Sequence, residues 1–149
     1  MHVSALRKGL YTLAGLGALG IGGFFTLGLV SQDGSAPGLV DGRLTPCPDS
    51  PNCVSSEEGT SAEKSVEPLP PGAWDEVPQA IEEMGGTVTT NTSDYIAAEF
   101  KSSFFGFVDD VEFRKGDDGV HVRSASRVGY SDGGVNGERV KALRRALSE

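Results

Sequence analysis

The amino-acid sequence predicts an α+β fold: a small antiparallel sheet of three to four strands with two helices, preceded by an N-terminal transmembrane helix. Three patterns point there. Apolar residues recur at helical spacing near residue 80 and again near the C-terminus. Between those segments, apolar and polar residues alternate in runs of strand length. Ahead of both lies an uncharged stretch from Gly9 to Val30.

That stretch follows a short basic segment, residues 1–8, which carries Arg7 and Lys8. A helix of its length covers about 30 Å of hydrocarbon. Signal-peptide cores are shorter, and the small residues Ser35 and Ala36 precede Pro37, a poor place for cleavage. A retained anchor is therefore favoured over a cleaved signal. The basic side faces the cytoplasm, so the expected protein is single-pass, with its C-terminal domain extracytoplasmic (periplasmic in a Gram-negative cell). Ala14, Ala18 and Gly22 form a small-residue stripe that could admit another helix.

Residues 31–43 read as a Gly/Pro/Asp linker, and residues 44–72 as a cysteine loop with an acidic, proline-terminated connector. The compact domain is expected at 73–149. In AWDEVPQAIEEMGG, Trp74, Val77, Ile81 and Met84 fall on one helical face, Pro78 fits the first turn, and Gly85 is a natural stop. TVTTN is a candidate fourth, short strand before DYIAAEFKS, FVDDVEFR and GVHVRSASRV. KGDDG joins the last two as a turn. Pairing Phe113 with Val120 and Val111 with Val122 puts the apolar residues on one side. The same register sets Glu112 opposite His121 and Asp110 opposite Arg123 on a charged face expected at the surface. In NGERVKALRRALSE, Val140, Leu143 and Leu147 share a helical face, with Asn136 as a candidate cap.

Charge is uneven along the chain. The formal net charge is −8, and residues 32–112 hold 16 acidic against 3 basic side chains. Such a body does not suit nucleic acid, which requires a basic surface. The expected partners are the membrane, through the N-terminal helix, and an envelope protein or anionic ligand. Nothing in the sequence calls for a cofactor.

Both cysteines, Cys47 and Cys53, lie in CPDSPNCVSS. Two sulfurs fall short of a closed zinc site, so no metal is expected. Outside the cytoplasm a disulfide is favoured over an activated thiol. Val54, Ser55 and Ser56 are the residues expected to pin the loop to a surface.

Three motifs occur in order: CPDSPNCVSS, FGFVDDVEFR and HVRSASRVGYSDGGVNGERV. Together they resemble the family catalogued as domain of unknown function 1499, over roughly Leu44 to Leu147. The resemblance implies a small protein, often membrane-anchored or exported, and supplies no mechanism. Gly133, Gly134 and Gly137 make the run into the last helix richer in glycine than the family's usual pattern, which leaves that helix's start open.

The candidate ligand site is RSASRVGYSDGGVN: Arg123, Ser124, Ser126, Arg127, Tyr130, Asp132 and Asn136, with Asp110 across the hairpin. A glycine-rich turn beside arginines suits an anion or a lipid headgroup. The competing reading is structural, with Arg123 paired to Asp110 and Asp132 or Asn136 capping the helix. His121 with Asp110 or Glu112 suggests hydrolysis. No nucleophile elbow is present, and no catalytic residue is assigned. The favoured role is a membrane-anchored binding or scaffolding module of the cell envelope. The alternative is an anion- or headgroup-binding domain centred on Arg123 and Arg127.

Overall fold

The structure, a computed structural model, describes residue 20 and residues 22–148. The predicted span at 9–30 thus lies mostly outside the described residues, as do Ala14 and Ala18 of the small-residue stripe. Among the described residues, no helix is long and apolar enough to cross a membrane. Residues 22–31 form a helix, α1.

The domain is α+β. A five-stranded antiparallel sheet carries β3 (Cys53–Ser55), β4 (Thr87–Asn91), β5 (Tyr95–Lys101), β6 (Val108–Lys115) and β7 (Val120–Ser126), in the order β3-β7-β6-β5-β4. The four predicted strands are all present. The fifth, β3, comes from the cysteine loop, so the sheet reaches beyond the expected domain start at residue 73. Val54 pairs with Ser124 and Ser55 with Arg123, while Ser56 N–H donates to the Val122 carbonyl. These are the three residues expected to pin the loop.

The predicted linker also holds structure. β1 (Leu39–Val40) and β2 (Arg43–Leu44) pair across Asp41 and Gly42, which have φ of 51° and 74°. Asp-Gly with both residues left-handed is the tight hairpin turn that matches strand twist. The connector remains largely irregular, but it is pinned: Leu69 is buried, and its backbone exchanges two hydrogen bonds with Val120.

The two predicted helices pack on one face of the sheet. A 3-10 turn, Pro71–Glu76, runs into α2 (Val77–Glu83), with Pro78 in its first turn where no N–H is needed. Trp74, Val77 and Ile81 are buried as their spacing requires, and Met84 is half-buried. Helix α3 (Val135–Ala146) buries Val140 and Leu143, and Leu147 follows them into the core. Ile96, Ala98, Val111, Phe113, Val120 and Val122 supply the sheet side. Each such aliphatic or aromatic side chain contributes roughly 1.5–3 kcal/mol when fully buried.

Gly133 and Gly134, both at positive φ, form the turn before α3. Asp132, not Asn136, caps the helix: its carboxylate accepts from the Gly134 N–H (3.0 Å) and the Asn136 N–H (2.8 Å). Burial pushes that carboxyl up, but the backbone donors outweigh it and hold the group below its ordinary range.

The predicted hairpin has the right parity and the wrong register. Phe113 pairs with Val122, Glu112 with Arg123, Arg114 with His121 and Asp110 with Ala125. The apolar residues still share a side, but every pair is shifted by two residues. The turn centres on Asp117 and Asp118, closed by the Gly116 N–H to the Gly119 carbonyl (2.9 Å), one residue beyond the expected centre. Asp110 therefore cannot sit opposite Arg123.

Candidate functional site

The face of the sheet away from the helices carries Tyr95, Glu99, Asp110, Glu112, Arg114, His121 and Arg123, as strand alternation requires. It is not the exposed surface expected from the sequence. Glu112 is fully buried, and Asp110, His121 and Arg123 are also buried. The segment after α1, the β1–β2 hairpin and the cysteine loop lie over them. A Gly/Pro-rich stretch reads as a solvated linker, yet here its backbone supplies partners to the charges beneath.

Three contacts fasten the cover. Glu112 accepts from Arg123 Nη1 (3.0 Å), Tyr95 Oη (2.8 Å) and the Gly38 N–H (2.8 Å). Glu57 accepts two bonds from Arg114 (2.8 and 3.1 Å) and one from the Leu44 N–H (3.1 Å). Arg127 donates twice to Asp110 (2.8 and 2.7 Å), to Glu99, and to the Ser31 carbonyl (3.1 Å). Such bidentate, charge-assisted pairs are the strong class of hydrogen bond.

Protonation states follow from these contacts. Burial pushes Glu57 up, but the Arg114 bonds and the Leu44 amide prevail and hold its carboxyl below the ordinary value. Burial and the bond to Glu112 push the Tyr95 phenol well up, so it remains a donor. The bonds to Asp110 and Glu99 hold Arg127 firmly charged against the cost of burial.

An open cleft of about 680 Å³ remains between the end of α1, the following segment, Pro46 and Pro48 of the cysteine loop, and the sheet. Asp110, Arg123, Ser126 and Arg127 line it. The cysteine loop and the arginine motif, separate in sequence, thus converge on one cavity. The two arginines differ in what they have left to offer. Arg127 is committed to two carboxylates and a carbonyl. Arg123 has a side chain only 8% exposed, and its Nε is buried without a hydrogen-bond partner among the described residues. A buried unsatisfied donor costs about 1–3 kcal/mol, and most such groups have a reason to exist.

The remaining predicted site residues lie elsewhere. Ser124 and Asn136 are on the helix side of β7 and fully buried: Ser124 Oγ donates to Asn136 Oδ1, and Asn136 Nδ2 reaches the Asn52 carbonyl (3.1 Å). They dock α3 on the sheet. Tyr130 is 77% exposed and, with Asp132, borders a neighbouring groove. The predicted pair Arg123–Asp110 does not form: Arg123 pairs with Glu112, and Asp110 with Arg127. The two-residue register shift is the reason. Sequence reading missed Glu112, Tyr95, Glu57 and Ser31 as partners. Strand parity put the first two on this face, but nothing signalled that the face is covered.

His121 is bonded to neither Asp110 nor Glu112. Its Nε2 lies 3.0 Å from Asp118 Oδ1, and its Nδ1 lies 3.4 Å from Ser56 Oγ. This serine, imidazole and carboxylate form a chain, but Ser56 Oγ accepts the Val122 N–H at 2.8 Å. The hydroxyl is thereby fixed to the strand, and its contact with the imidazole is at the long limit for a hydrogen bond. Cys47 and Cys53 form a disulfide. Closing so short a ring contributes about 2 kcal/mol in the chain-entropy description. Among the described residues, no group of three or more His, Cys, Asp or Glu side chains could hold a metal ion.

A family model described as a protein of unknown function (DUF1499) matches residues 43–147. That range takes in β2, the whole five-stranded sheet and both packed helices. No curated protein and no solved structure matches the chain.

Proposed function

This chain belongs to the DUF1499 family of proteins of unknown function, and we propose that it is a membrane-anchored, extracytoplasmic module that binds a headgroup-sized polar ligand. The binding site is the cleft beside Arg123. The observation that carries this reading is the convergence of Arg123, Arg127 and the cysteine-loop prolines on one open cleft, with the buried Arg123 Nε–H left without a partner among the described residues. Glu112 already balances the guanidinium charge, and Asp110 balances Arg127. The cleft therefore suits an acceptor oxygen, phosphoryl or carbonyl, better than a bare multivalent anion. Val30 and Ser31, where the predicted span ends, form one wall. If the span is an anchor, the cleft stands at the level of lipid headgroups.

The probe is sn-glycero-3-phosphocholine, a soluble headgroup fragment with no net charge, titrated into the full chain in maltoside micelles, which carry no phosphoryl group. The readout is the arginine Nε–Hε nuclear magnetic resonance signal. Saturable movement of the Arg123 signal is expected, with the Arg127 signal unmoved and the accompanying shifts of the cleft-lining Gly34 and Ser35 amides lost in Arg123→Lys. Tertiary structure of the variant is checked by near-ultraviolet circular dichroism. An Arg123 signal unmoved by the probe in a folded chain would remove the reading.

A further inference from the structure

The strongest feature outside the cleft is a band of aromatic rings at one end of the sheet. The β5–β6 loop, residues 102–107, reads SSFFGF and carries no charge. Its rings pack on α1: Phe105 lies 5.4 Å from Phe24 and 5.2 Å from Phe25, and Phe104 lies 5.8 Å from Phe25. The docking is close. A Cβ on Gly28 would fall 1.8 Å from the Phe105 carbonyl oxygen, so only glycine lets helix and loop meet there. Ser31 Oγ, buried at the end of α1, accepts the Val108 N–H (3.1 Å) and donates to the Gly28 carbonyl (2.7 Å). By contrast, a Cβ on Gly22 of the predicted stripe would meet nothing within 4 Å among the described residues.

The helix and loop are therefore packed together, yet their apolar outer side is open. Phe104 is 70% exposed, and Phe24 and Phe25, packed against its loop, are exposed as well. Beside the band lies a groove of about 480 Å³, lined by Phe24, Leu27, Phe107 and Val128 but also by Asp109 and Asp132, and exposed Tyr130 stands at it. A contiguous apolar patch of this kind marks a contact surface.

We infer that this aromatic end is seated in the lipid bilayer. The inference rests on the membrane-anchor reading of residues 9–30. The occupant follows from continuity: α1 is the last part of that uncharged stretch, so whatever surrounds the stretch also meets the rings packed on it. Phe24 and Phe25 lie five to six residues before Val30, about 8–9 Å along the helix axis. The β5–β6 loop is held at that depth, within the roughly 15 Å of one hydrocarbon leaflet. Tyr130 and Lys101 flank the band; Lys101 Nζ bonds Gln32 Oε1 (2.7 Å) just past the helix end. Tyrosine and lysine at the edge of an apolar span are typical interfacial residues.

The test uses the full chain in phosphatidylcholine vesicles whose lipids are brominated on the acyl chains, so that bromine quenches only tryptophan near hydrocarbon. Phe104→Trp probes the band. Val40→Trp is the control. Val40 is exposed, in the hairpin whose Leu44 is tied through Glu57 to Arg114. Arg114 is six residues along β6 from the aromatic end, about 20 Å. Native Trp74, under Lys115 at that far end, sets the baseline. Loss of Phe104→Trp emission, with Val40→Trp and baseline emission retained, is the expected result. If the chain floats with the vesicles but Phe104→Trp is as unquenched as Val40→Trp, the band is covered by protein or faces water. The seating is then wrong while the anchor stands. Equal quenching at both positions overturns the seating as well. A chain that does not float with the vesicles overturns both readings.

Discussion

Removing the Glu112 carboxylate takes an acceptor from three donors at once: Arg123, Tyr95 and the Gly38 N–H. The guanidinium would then be buried without a counter-charge. Breaking a buried pair in this way costs about 3–5 kcal/mol, more than the intact pair contributes over a hydrophobic substitute. Glu112→Ala is expected to lose stability of that size in urea unfolding followed by Trp74 emission, and Glu112→Gln less. A loss below about 1 kcal/mol, the size typical of exposed pairs, would mean that the face is solvated after all. Strand alternation put Glu112, Asp110 and Arg123 on one face from sequence alone. Their burial was not legible, because the atoms that cover them include backbone amides of a glycine-rich segment, which leave no side-chain pattern.

At the scale of elements, the strands and packed helices were readable because their apolar residues obey a single period over enough length. Val111, Phe113, Val120 and Val122 declare a side of the sheet whichever way the hairpin is registered. The register itself depends on which two residues of KGDDG form the turn, and Asp and Gly are suitable at several of those positions. That ambiguity moved each charge two places and reassigned every ion pair. The β1–β2 hairpin did carry a signal, VDGR, but at two residues per strand it was too short to show alternation. It is held to the sheet by Glu57, between the Leu44 N–H and Arg114. Glu57 binds its proton less readily folded than unfolded. Its contribution is therefore full above its ordinary pKa of 4.5 and is lost as pH falls through the lower folded value. Glu57→Gln is expected to lower stability near neutral pH and to flatten its fall below about pH 4.5. Parallel acid limbs for the parent and variant would contradict this role.

At the scale of the molecule, the segment between α1 and the sheet acts as a lid fastened at Ser31, Gly38 and Leu44 by Arg127, Glu112 and Glu57. This cover creates the cleft beside Arg123 and fixes α1 against the body that carries it. An untethered linker would leave Arg123 in water and its Nε–H without special meaning. The most direct test is residue-resolved amide hydrogen exchange on the full chain in nanodiscs. Gly38 and Leu44 are expected to exchange far more slowly than Gly34 and Ser35 in the same segment, and Glu112→Gln is expected to speed Gly38 selectively. Exchange of Gly38 and Leu44 at the rate of an unstructured chain would contradict the fastened cover, and the binding cleft with it.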